Sequence, residues 1–165
     1  MVARIHQFLD RWLVEAPDRP FIYLPDRTVT YADLGRLVDT LEAELRDQGV
    51  RPGDRVLVVA ENCPEHAALL LAASRVGAWA CGVNARMAPG EVRGFADKAD
   101  ARIIYFTDQV SKAAAAHAER YDVSASRVPG LSHSPVYAQA RAEPEPDGNP
   151  VAAIIFTSGP PGAPK

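Results

Sequence analysis

"RVLVVAENCPEHAALLLAASRVGAWACGV", from Arg55 to Val83, decides the fold. Its first six residues, "RVLVVA", form a nearly continuous β-branched and apolar run, the pattern of a strand covered on both faces. Pro64 suits a first helical position and opens "PEHAALLLAASRVG", which is apolar around most of its circumference and closes at Gly77. "AWACGV" reads as the next strand. A strand, a buried helix and a second strand in succession predict parallel strands joined by a right-handed crossover.

The same alternation extends in both directions. Upstream, "FIYLPDRTVTY" reads as two short strands, Phe21–Leu24 and Thr28–Tyr31, joined by the turn Pro25-Asp26-Arg27. Thr30 and Asp33 form a capping-box pattern, and Leu34, Leu37, Val38, Leu41 and Leu45 follow at helical spacing before Gly49. Downstream, Pro89 opens a helix carrying Val92, Phe95 and Ala96. "ARIIYFT" then supplies another buried strand, and an alanine-rich helix runs from about Gln109 to Arg120.

The expected fold class is therefore α/β: a mostly parallel sheet with flanking helices over residues 1–120, with a hairpin near its start. Residues 121–150, with "VPGLSHSP" and "AEPEPDGNP", read as a mostly irregular connection holding one short strand at Arg127–Val128. Residues 151–165 bring a final strand, Val151–Thr157, and a turn-dense end, "SGPPGAPK". Ligands of parallel sheets gather at the carboxyl ends of strands, and this segment occupies such a position.

Composition excludes several classes. A net charge of −3 without a lysine and arginine run argues against a nucleic-acid partner. The longest wholly apolar stretch, around Ala67–Ala73, is far below the roughly 18–20 residues of a membrane span, so no membrane span is expected. The first dozen residues carry Arg4, Asp10 and Arg11 and lack a secretory h-region, which predicts a soluble, cytoplasmic protein. Cys63 and Cys81 sit at neither metal nor CxxC spacing and read as buried thiols without a disulfide.

"TVTYADLGRL", followed by "GVRPGDRVLVVAENCPEHAALLLAASRVGAWACGVNARMAPGEVRGFADKADARIIYF", resembles the N-terminal part of AMP-forming acyl-CoA synthetases and related adenylating enzymes. "IIFTSGPPGAPK" resembles their phosphate-loop signature, TSG[ST]TGxPKG, with Thr157, Ser158, Gly159, Gly162, Pro164 and Lys165 in register. The resemblance covers nearly the whole chain from about residue 20 onward. It implies a reaction in which ATP, with Mg, adenylates a small-molecule carboxylic acid, pyrophosphate leaves, and the acyl group passes to a thiol, most often coenzyme A.

It also implies a phosphate site at Thr157, Ser158, Gly159, Pro160, Pro161, Gly162 and Lys165. Hydroxyls, backbone N–H groups and the lysine would meet charge developing on pyrophosphate, and Gly159 and Gly162 would admit close approach of the backbone. Pro160 and Pro161 depart from the pattern. Each removes a hydroxyl and an N–H and fixes φ near −65°. Family enzymes continue for several hundred residues, so the chain reads as an N-terminal fragment, inactive alone, whose exposed apolar faces favour self-association. The alternative is a degenerate, non-catalytic binding or oligomerisation module of the same fold.

Arg86, in "VNARMAPGE", lies where the family sometimes approaches the nucleotide end of coenzyme A; a solvated or capping role is the common one for such an arginine. His6, His66, His117 and His133 have no companion at catalytic or metal spacing and receive no catalytic role. Trp12 and Trp79 read as core residues. Ser158 lacks the flanking glycines of a nucleophile elbow, so hydrolase chemistry is not expected and no catalytic residue is assigned.

Overall fold

A computed structural model describes residues 4–146 and 149–156 of the chain. Helix α1 (His6–Glu15) is followed by an antiparallel hairpin, β1 (Pro20–Tyr23) and β2 (Thr28–Thr30). Helix α2 (Tyr31–Asp47) starts on a capping box. The Thr30 hydroxyl accepts from the Asp33 N–H at 3.1 Å while the Asp33 carboxylate accepts from the Thr30 N–H at 2.9 Å.

The central segment folds as its sequence dictates: β3 (Arg55–Ala60), α3 (Pro64–Val76), β4 (Trp79–Asn84), α4 (Pro89–Ala99), β5 (Ala101–Phe106) and α5 (Lys112–Ala118). Two-residue strands β6 (Ser124–Ala125), β7 (Ser132–His133) and β8 (Ile154–Ile155) complete a six-stranded sheet in the order β6-β7-β5-β3-β4-β8. The strands β5, β3, β4 and β8 run parallel, and β7 and β6 join antiparallel.

Alternation along β3 builds two cores. Val56, Val58 and Ala60 pack with Leu34, Val38, Leu41 and Leu45 of α2 and Leu69 of α3 on one face. Leu57 and Val59 pack with Val92 and Phe95 of α4 and Ala114 of α5 on the other. All six residues of β3 are buried. A carboxylate enters this interior with partners: Glu44 accepts from the Tyr105 hydroxyl at 2.7 Å, the Ser126 hydroxyl at 2.9 Å and the Arg127 N–H at 2.5 Å.

Four expectations are corrected. The strand expected at Arg127–Val128 is a bend between β6 and β7, because Val128 turns inward and the Arg127 N–H goes to Glu44 instead of a ladder. Helix α5 begins at Lys112, since the Ser111 hydroxyl caps it by accepting from the Ala114 N–H at 3.3 Å and Gln109-Val110 forms a turn. The last strand pairs only at Ile154 and Ile155 among the described residues. Helix α1 was given no element in the sequence, and Tyr31 belongs to α2, not to the hairpin. Trp79 is buried; Trp12 is half-buried and stacks on Tyr31 with ring centroids 5.4 Å apart.

Candidate functional site at the carboxyl edge of the sheet

The chain leaves β3 for α3 on one face and leaves β4 for α4 on the other. Connections that part to opposite faces open a crevice between the carboxyl ends of the two strands, where open α/β sheets bind ligands. Glu61 follows β3 and Arg86 follows β4, and they meet across this crevice: Arg86 Nε donates to Glu61 Oε1 at 2.5 Å. The Asn84 side-chain oxygen accepts from the Arg86 N–H at 2.9 Å and fixes the turn that presents the guanidinium.

Glu61 is restrained by Ser111 as well as by Arg86. The Ser111 hydroxyl first, then the Arg86 guanidinium, hold its carboxyl below the usual carboxylate range, so it is an anion at neutral pH. The arginine side chain is 77% exposed, so the pair is a screened surface contact that orients groups more than it stabilises the fold.

A cleft of about 540 Å³ opens beside the pair, between α3, β4 and β8, with Glu61, His66, Leu70, Asn84, Arg86 and Ile155 among its walls. Gly82 carries no side chain here, and the His66 ring occupies that space. Burial pushes the His66 imidazole below its ordinary pKa, which keeps it neutral at pH 7. A larger cleft of about 730 Å³ lies alongside α4 and α5, lined by Arg93, His117, Arg120 and Tyr121, on the opposite side of the sheet from α3.

The expected phosphate residues Thr157, Ser158, Gly159, Pro160, Pro161, Gly162 and Lys165 lie outside the described residues. The described chain before them runs toward the carboxyl edge of the sheet: β8 pairs parallel to β4 through Cys81 with Ile154 and Gly82 with Ile155, and Phe156 packs on Phe95 with ring centroids 4.5 Å apart. Arg86 stands at that same edge. Glu61 was missed in the sequence; its only signal there was a polar residue immediately after the apolar run Val56–Ala60. No three His, Cys, Asp or Glu side chains converge as a metal cage among the described residues. Cys63 and Cys81 are free thiols.

The comparisons with known proteins agree with this architecture. The 3-hydroxybenzoate–CoA ligase of Aromatoleum sp. (strain CIB) is 35% identical over 88 residues, covering 53% of this chain and 17% of that protein. The fatty acid–[acyl-carrier-protein] ligase MmaC of Mycobacterium marinum is 31% identical over 170 residues, covering 95% of this chain and 32% of that protein. The chain thus spans well under half the length of either. A solved complex of VinN with 3-methylaspartate shares the fold with a TM-score of 0.71 at 24% identity, over 99% of this chain and 46% of that one. The family model described as "AMP-binding enzyme" matches residues 9–165, a span that holds every strand of the sheet and the glycine- and proline-rich end, and the chain belongs to that family.

Proposed function

We propose that this chain is the N-terminal part of a longer cytoplasmic, ATP-dependent acid–thiol ligase, which adenylates a small-molecule carboxylic acid and passes the acyl group to coenzyme A. The observation that carries the reading is the direction of β8. It runs parallel to β4, toward the carboxyl edge where Glu61 and Arg86 meet, which supports a reading in which the segment beginning at Thr157 enters that crevice. There the N–H groups, hydroxyls and Lys165 would hold the phosphates of ATP as pyrophosphate departs.

Arg86 is proposed as a contact for a phosphate of coenzyme A, with Glu61 as its resting counter-ion. The carrier-protein ligase among the relatives keeps a protein-bound thiol as a competing acceptor. A magnesium ion, which would neutralise phosphate charge, would take its oxygen ligands from the phosphates and from groups beyond the described residues. Exposed Phe8, Val14, Tyr23 and Ile155 offer apolar surface for the remainder of such a protein or, in this chain alone, for self-association.

The second reading, a non-catalytic module of the same fold, is favoured by one feature, the prolines at 160 and 161. Pyrophosphate exchange with a panel of carboxylic acids, run on the longer protein that carries this chain, separates the two. Acid-dependent exchange supports the ligase. Its absence with every acid, in a folded protein, supports the module.

A further inference from the structure

The connection from β7 to β8 crosses beneath the opposite, amino-terminal edge of the sheet, and arginines lace it there along its length. Arg102 Nη1 donates to the Tyr137 carbonyl at 3.0 Å, and Arg51 Nη2 donates to the Ala140 carbonyl at 3.1 Å. Arg55, itself only 3% exposed, donates to the Arg141 carbonyl at 2.6 Å and lies 3.4 Å from the Glu143 carboxylate. The remaining donors of Arg55 reach the Ala99 carbonyl at 2.6 Å, the Gly53 carbonyl at 2.9 Å and Asp100 at 3.2 Å. Arg4 closes the series on Glu145 at 2.8 Å.

The backbone at Gly53 is shaped for this crossing. Its carbonyl accepts from the Glu143 N–H at 3.1 Å, and a Cβ built on it would stand 1.8 Å from the Glu143 carbonyl oxygen. Its φ of +81° is in the left-handed region that glycine adopts without strain.

Strand β8 is lightly held by itself: two paired residues at a sheet edge, with Ile154 and Phe156 packed, half-buried, against the core beside it. We infer that the arginine-laced strap is a positioning device for β8, and that Arg55 and Gly53, at the far edge of the sheet, set how firmly the segment after β8 is presented. The bearing on phosphate binding rests on the function proposed above; the docking of β8 does not. Anchoring near Glu145 shortens the free tether to β8 from about twenty residues to about nine. Loop-closure entropy then makes docking about three- to four-fold more favourable than with the strap free.

The test is peptide-resolved hydrogen exchange on the 165-residue chain, comparing residues 150–156 with residues 55–60 as an internal core reference. Gly53→Ala drives the strap off by backbone collision. Arg4→Gln with Glu143→Gln loosens it at two surface positions and leaves the buried Arg55 intact, so a fold defect in the first variant does not end the test. Tryptic cleavage after Arg141 reports release of the strap. The expected result is exchange at 150–156 about three- to four-fold faster, with 55–60 unchanged. Two results overturn the inference: unchanged exchange at 150–156 once cleavage after Arg141 has accelerated, or equal acceleration of both peptides in the surface double variant, which would make the lacing a contributor to global stability only. Neither result bears on pyrophosphate exchange, so the proposed function stands or falls separately.

Discussion

The His66 ring rests on the bare backbone of Gly82, where a Cβ would lie 3.1 Å from Nε2. This contact joins α3 to β4 beside the cleft, and it makes the imidazole a sensor of how closely helix and strand approach. Gly82→Ala requires the ring to yield by a few tenths of an ångström. The expected outcome is a changed His66 pKa in the variant with little loss of stability, read by NMR titration of the imidazole protons.

Acid should weaken the fold in a window set by histidines. Burial lowers the pKa of His66, and burial also leads the lowering at His6. The unfolded chain then binds more protons than the folded one below the ordinary histidine value of 6.5. Stability is complete above that pH and declines as pH falls toward the folded values. Urea unfolding at pH 7.5 and 5.5 should show this decline, and His66→Gln should flatten it. An unchanged slope in His66→Gln would remove His66 from the account.

Removing the cap of α2 should cost about 1 kcal/mol, because Thr30→Ala deletes the acceptor for the Asp33 N–H and one donor to its carboxylate. Asp33 owes its lowered pKa first to the Thr30 N–H and then to the Thr30 hydroxyl. The variant should therefore also raise the Asp33 pKa part of the way back. Thermal unfolding and carboxylate titration check the two effects separately.

Much of the fold was legible because its signals are local. Pro64 and Gly77 bracket α3, and the apolar run Val56–Ala60 of β3 leaves no polar residue for a solvent face. The strands β6 and β7 were not legible: "SA" and "SH" have neither period nor propensity and are strands only because Tyr105 and Phe106 offer an edge to pair with. Val128 gave a strand signal by its branching, yet its burial serves a bend. Arg86 was legible as a candidate from the turn it occupies, whereas its partner Glu61 lies 25 residues away and is joined to it only by the crossover.

The interior carboxylate should be among the most costly to remove. Glu44→Ala strands the buried Tyr105 hydroxyl, along with Ser126 and the Arg127 N–H, for an expected loss of about 3 kcal/mol. Tyr105→Phe leaves Glu44 two of its donors and should cost less. Urea denaturation of both variants orders them, and a larger loss for Tyr105→Phe would contradict the network as described.

Restoring hydroxyls and N–H groups at 160 and 161 should raise activity in the longer ligase proposed above. Loss of one preorganised donor to a developing anion costs about 2.7–4 kcal/mol in a protease, so Pro160→Thr with Pro161→Thr should give a gain of that order, reduced by any change in backbone geometry. Pyrophosphate exchange measures it. Equal rates with prolines and threonines would show that the prolines are tolerated.

Cys81 lies fully buried in β4 opposite Ile154, and burial pushes its thiol up to about 12. Since thiolate is the form that reacts, an alkylating reagent meets this sulfur only when the core between the sheet and its covering helices opens. Cys63, half-buried and pushed up to about 11, sits outside the sheet at the start of α3. The two cysteines therefore make a chemical clock with two hands: the labelling rate at Cys81 times the opening of the core over β4, against which Ile154 and Phe156 also pack, while Cys63 keeps separate time for the start of α3.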